Sequence, residues 1–343
     1  MRLSTHVHRL LLKHPWTTSR ASVDFHDNIF VRLEHEGMTG LGEASFSKRY
    51  GESLESLQEA IDRAKPILAN ANPLHFSEIA EAIQHFCAGQ NAAKAAIEMA
   101  LMDWVGQKFE LPLFRLCGLD PARTPISSFS IGIDTPENMQ QKIREAGEFP
   151  ILKIKLGTAQ DEEIIRAVRE VTDKPLRLDA NEGWTSKEEA LEKICWLANF
   201  NVEFIEQPMP AGRLHEIRWL SEQLRLRHIS LPLIADEDAK TSREVLALRG
   251  VYDGINIKLM KSGGLLEALR MICLARTLDL HIMLGCMIES SVGITAAAHL
   301  APLVDYVDLD GHLLISNDPF VGVQMKNGNM TLPEAPGLGV KAR

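Results

Sequence analysis

The chain has 343 residues, 45% apolar and 24% charged, with a formal net charge of −9 from 37 basic and 46 acidic side chains. This composition excludes a mostly disordered chain, and the length allows two or three domains with a large core. The acidic balance argues against a nucleic-acid partner, because neutralising phosphates needs a basic face.

The first residues carry only one short apolar run, Leu10 to Leu12, so no signal peptide is read there. No stretch approaches the ~18 uninterrupted apolar residues of a membrane span, so no membrane association is expected. The five cysteines are odd in number and form no C-x-x-C or Cys/His cluster. A disulfide framework or thiolate zinc site is therefore not expected, and free thiols point to a reducing, cytoplasmic setting. Residues 22–44 hold two strand-like runs broken at Glu36-Gly37, a hairpin signal. From Gly51 to about Gly118 apolar residues recur three and four apart, a helical pattern. Strands followed by helices predict a small α+β domain.

After about Pro125 short apolar runs alternate with helical stretches. ILKIKLG precedes DEEIIRAVREV, LRLDAN precedes TSKEEALEKICWLANF, and FIEQP precedes RLHEIRWLSEQL. LIADED, GINIKLMKSGG and HIMLGC repeat the pattern, and YVDLDG ends it. Thr135-Pro136 reads as a cap with an N1 proline, and Thr185 with Glu188 as a capping box. Successive β–α units mean a parallel sheet, open or closed. A repeat of about 25 residues fits a (β/α) barrel. An open doubly wound sheet stays possible, although no G-x-G-x-x-G or P-loop motif follows any strand. From about Leu313 the tail reads as irregular strands.

Each strand end carries a charged residue, and in a barrel such ends converge on one face. Asp179, Glu206 and Asp236 end three consecutive strands. Three acids meeting there need a counter-charge, which a hard divalent cation such as Mg²⁺ supplies. Singly, each acid is equally readable as a helix cap. Lys153 and Lys155 are two apart on a strand and share a face, the interior in a barrel and solvent on an edge strand. Burial and mutual repulsion would lower such lysines toward ~7–8, the range of a general base. Lys258 follows the same logic from across the barrel, or is a surface lysine. Acids, cation and opposed lysines together suit abstraction of a proton next to a carboxylate, with return on the other face and inversion. A Schiff-base barrel aldolase using Lys155 or Lys258 is the alternative of a different class.

Lys153-x-Lys155, Asp179-Ala-Asn181, Glu206-Gln-Pro208, Asp236-Glu237, Lys258 and Asp308-Leu-Asp310 resemble the enolase superfamily, muconate-lactonizing subgroup. Within it, Asp308-x-Asp310 resembles the dipeptide epimerases, above all those acting on L-Ala-D/L-Glu. The resemblance implies an α/β fold, a (β/α)7β-type TIM barrel over residues 121–312. An N-terminal α+β capping domain would cover residues 1–120, and residues 313–343 would return to it. It implies one Mg²⁺ per subunit on Asp179, Glu206 and Asp236, with Lys155 and Lys258 as the acid/base pair and Lys153 supporting the charge. It implies that Asp308 and Asp310 hold a dipeptide's ammonium, where the residues alone suggest a surface acidic turn. It places Arg20 against an acidic second side chain, where the residues alone allow an arginine in solvent. The RYGES stretch, Arg49–Ser53, is expected to add contacts, and Asp238 to tune the site or cap a helix. The superfamily habit suggests a homo-oligomer and a role in recycling cell-wall peptides. Within the subgroup the alternatives are N-acylamino acid racemase and o-succinylbenzoate synthase, whose substrates lack a free ammonium.

Overall fold

In the computed structural model, which describes residues 1–343, β1 (Arg2–Thr17), β2 (Ser22–His35) and β3 (Met38–Ala44) form an antiparallel sheet in that order. Glu36 and Gly37 make the tight β2–β3 turn at φ 49° and 75°, the left-handed pair that a two-residue hairpin requires. Four helices follow: α1 (Leu54–Ala69), α2 (Phe76–His85), α3 (Asn91–Lys108) and α4 (Leu113–Leu116). α3 is buried on every side from Ala92 to Gly106. It lies directly on β3, where a Cβ at Gly40 or Gly42 would stand 1.9 Å from the carbonyl oxygens of Ala100 and Ala96. Only glycine permits that approach of helix to sheet.

The alternation after Pro125 becomes eight parallel strands in sequential order. They are β4 (Phe129–Ile131), β5 (Leu152–Lys155), β6 (Leu176–Asp179), β7 (Val202–Glu206), β8 (Leu233–Ala235), β9 (Gly254–Ile257), β10 (His281–Gly285) and β11 (Tyr306–Asp308). Between them run α5 (Pro136–Glu145), α6 (Asp161–Arg169), α7 (Lys187–Leu197), α8 (Leu214–Leu226) and α9 (Ser242–Leu248). The short α10 (Leu259–Ser262) leads into α11 (Leu265–Thr277), and α12 (Ser291–Ala298) precedes the last strand. The residues leading into β4 meet β11 through a parallel bridge, Ser127 to Val307, and the Ser128 amide donates to the Val307 carbonyl at 3.1 Å. The sheet therefore closes, and the expected (β/α)7β barrel with its N-terminal α+β domain is the observed architecture. Phe204, Ile234 and Met283 form a small cluster inside it. Phe204 and Ile234 lie two residues before Glu206 and Asp236, so each pair shares the inward face.

Thr135 caps α5 as read, with Pro136 in its first turn. At α7 the structure corrects the reading: Ser186, not Thr185, is the cap, accepting from the Glu189 amide at 3.3 Å and donating to Glu188 at 3.0 Å. The run T-S-K-E-E holds both registers, and the helix takes the later one. At the other end of the chain, β1 leaves register with β2 between Leu11 and Trp16. There Lys13 N donates to Leu314 O at 2.9 Å and Ser316 N to Leu11 O at 2.8 Å, so the C-terminal segment runs along the capping sheet. None of the five cysteines is paired, and no helix is long and apolar enough to cross a membrane.

Candidate active site

Asp179 and Glu206 are the last residues of β6 and β7, and Asp236 follows β8 directly. All three are buried, with ligand oxygens within 4.8 Å of one another. The lysines stand among them. Lys155 Nζ is 2.6 Å from Asp179 Oδ2, Lys153 Nζ is 2.7 Å from Glu206 Oε2, and Lys258 Nζ is 2.7 Å from Asp236 Oδ2. Lys155 ends β5 and Lys258 follows β9, and these strands are four places apart in a closed ring of eight. They face each other across the barrel with the acids of β6, β7 and β8 between them. A compact all-oxygen donor set, one of whose oxygens (Glu206 Oε2) meets only the Lys153 ammonium, fits a hard divalent cation.

The electrostatics depart from the expected lysine shift. Burial alone would lower Lys153, but Asp308, Glu206 and Asp179 together hold it well above its ordinary value. Lys258 is raised for the same reason, burial being outweighed by Asp236 and Glu206. At Lys153 and Lys258 the expected lowering is thus reversed, because both ammonium groups have carboxylate partners. On the acid side, burial opposes ionisation of Asp236, yet Lys258 and Lys261 hold it well below its usual range. Glu206 is raised, by burial and by the neighbouring Asp179.

Asp308 and Asp310 are buried, not a surface turn. Asp308 accepts from Ser128 Oγ at 2.7 Å, Ser130 Oγ at 3.0 Å and Lys153 at 2.9 Å. Burial opposes its charge, but Lys153 and Lys155 hold it down to about 2. Asp310 accepts from the Ser130 amide and is pushed up to about 7 by burial and by Asp308. Both acids line a cavity of about 200 Å³ that also takes in Lys153, Lys155, Lys258 and Arg20. A larger cleft of about 610 Å³, where the cap meets α9, contains neither Lys155 nor Lys258, so volume does not mark the chemical centre.

Arg20, in the turn between β1 and β2, is tied to the barrel. Its Nη1 donates to Glu237 Oε1 at 2.6 Å and to Glu182 Oε2 at 2.8 Å. Arg49 of the RYGES stretch grips the same Glu182 at 2.6 and 2.7 Å and does not line the smaller cavity. Asp238 caps no helix: Thr241 caps the one that follows. The oxygens of Asp238 accept from Gln207, Tyr252 and the Gly212 amide at 2.9, 2.8 and 2.7 Å, bracing the loops behind the acids.

Sequence reasoning missed Ser128, Ser130, Asn256 and Lys261. Asn256 lies two before Lys258, so the same-face rule applied to Lys153 and Lys155 would have found it. Lys261 lies in α10, beyond the strand, where that rule has no reach.

Residues 2–118 match the mandelate racemase/muconate lactonizing enzyme N-terminal domain, and residues 134–343 the enolase C-terminal domain-like family. The chain is 41% identical over 341 residues to an L-Ala-D/L-Glu epimerase of Bacteroides thetaiotaomicron, covering 99% of this chain and 88% of that protein. Among solved structures, a substrate-liganded L-Ala-D/L-Glu epimerase from Bacillus subtilis matches with TM-score 0.93 and 32% identity, over 100% of this chain and 98% of that one. A dipeptide epimerase from Enterococcus faecalis, complexed with Mg and L-Leu-L-Tyr, matches with TM-score 0.91 and 34% identity over 98% of both chains.

Proposed function

Since the chain belongs to the mandelate racemase/muconate lactonizing enzyme family of the enolase superfamily and is an isomerase of the epimerase kind, we propose that it inverts the α-carbon of a dipeptide's C-terminal residue, L-Ala-D/L-Glu being the preferred pair. The observation that carries this reading is that Lys155 and Lys258 line one cavity from strands four places apart in the closed ring, with the three acids at the ends of the strands between them. Asp179, Glu206 and Asp236 would hold Mg²⁺. When bound, it supplies positive charge that competes with the lysines for these acids and offsets the charge growing on the substrate carboxylate. Lys155 and Lys258 each serve one face of the α-carbon, one taking a proton while the other returns one. Lys153 supports the charge near Lys155. Asp308 and Asp310 bind the dipeptide's ammonium, and this favours a dipeptide over the N-acyl substrates of N-acylamino acid racemase or o-succinylbenzoate synthase. Arg20 faces the acidic second side chain, its Nη1 held by Glu182 and Glu237.

A dipeptide library incubated in D₂O with Mg²⁺ and scored by mass spectrometry tests this reading. One deuteron is expected at the α-carbon of the second residue, fastest when that residue is glutamate. Arg20→Met should lower kcat/KM for acidic dipeptides by roughly tenfold or more, and for neutral ones little. Equal turnover of N-acetylated dipeptides would contradict the ammonium site. Activity that survives EDTA and is trapped by borohydride would favour the Schiff-base reading.

A further inference from the structure

Each acid of the triad divides its two oxygens. One is held by a donor of the chain: Asp179 Oδ1 by the Asn181 amide at 2.9 Å, Glu206 Oε1 by Asn256 Nδ2 at 2.7 Å, and Asp236 Oδ1 by Lys261 Nζ at 2.6 Å. The other oxygens, Asp179 Oδ2, Glu206 Oε2 and Asp236 Oδ2, are those beside Lys155, Lys153 and Lys258, and of these Asp179 Oδ2 also accepts from Asn181 Nδ2 at 3.2 Å. The donors on Glu206 and Asp236 are side chains, and both are buried. They are also joined to each other. Lys261 donates to the main-chain carbonyls of Asp236 and Asn256, the latter at 2.8 Å, so one bracket spans β7, β8 and β9. Lys155 and Lys258 differ in kind, because their ammonium groups hydrogen-bond only to carboxylate side chains. Neither Lys261 nor Asn256 lines the cavity that holds Asp308 and Asp310.

We propose that Lys261 and Asn256 are positioning residues of the metal centre: each occupies one oxygen of a carboxylate so that Asp236 and Glu206 offer the cation a single, fixed oxygen. The proposal rests on the metal reading given above. If Lys261 acted only as a like charge beside the cation, its removal would strengthen cation binding. If it acts by holding Asp236, its removal weakens binding in spite of the charge lost. Removing a partner that orients a ligand typically lowers metal affinity 10–100-fold.

The test is calorimetric titration of Mg²⁺ into the full-length metal-free protein, for the parent chain, Lys261→Met and Asn256→Leu, with circular dichroism confirming the fold of each. The Kd for Mg²⁺ is expected to rise about tenfold or more in both variants, with one site retained. Asn256→Leu changes no charge and carries the test by itself if Lys261→Met fails to fold. An unchanged Kd in Asn256→Leu, or a lower Kd in Lys261→Met, overturns the positioning role. A parent chain that takes up no divalent cation overturns the metal reading first, and is recognised as a separate failure because it appears before any variant is compared.

Discussion

Asp308 and Asp310 stand two residues apart, yet their surroundings drive them in opposite directions. Burial penalises both charges. Two lysines outweigh it at Asp308 and hold that group at about 2, while at Asp310 the charge of Asp308 adds to burial and lifts it to about 7. As pH rises through about 7, Asp310 passes from neutral to charged and the pair gains a second negative charge. A dipeptide's α-ammonium stays protonated to nearly pH 8, so the attraction strengthens over that interval. KM for L-Ala-L-Glu is therefore expected to fall several-fold between about pH 6 and 7.5, and Asp310→Asn should flatten the profile. Steady-state kinetics across that range decides it, and an equal slope in the variant would contradict the assignment. This behaviour was not legible in the sequence, where two acids before a glycine read as a surface turn. What the sequence lacks is company: Arg20 meets Glu182 and Glu237 across separations of 162 and 217 residues. The triad and the lysines were legible because strand-end position is a local property and recurs.

Elements were legible where a local rule had one solution. Glu36-Gly37 could close a hairpin in only one place, and Thr135-Pro136 could start only one helix. The run at Thr185 offered two caps, and the helix takes Ser186. Ser186→Ala is expected to cost about 1 kcal/mol in urea unfolding, and Thr185→Ala to cost much less. The reverse order would restore the earlier register. β4 is only three residues long and carries too little alternation to be read, although the residues leading into it meet β11 and close the ring. The apolar spacing of α3 marks a helix but not its depth, because it is buried all round, and β3 accommodates it through two glycines.

At the scale of the whole molecule, closure converts sequence order into direction. In a ring of eight strands each step turns about 45°, so four steps from β5 to β9 bring Lys258 opposite Lys155. In an open sheet the same residues would lie along one edge and could not address two faces of a carbon. The cap completes the arrangement: Arg20 and Arg49 converge on Glu182 of the barrel, and the tail runs beside β1. The regular repeat suggested this closure, but the Ser127–Val307 bridge that makes it was invisible until the chain was folded.

The opposed lysines are tested most directly by stereospecific proton exchange in single-lysine variants. In D₂O with Mg²⁺ the parent enzyme should incorporate deuterium into both L-Ala-L-Glu and L-Ala-D-Glu. Lys155→Ala should lose exchange with one epimer and Lys258→Ala with the other, and neither should interconvert them. Retained epimerisation in either variant, or loss of the same epimer's exchange in both, would contradict a site that works from two sides.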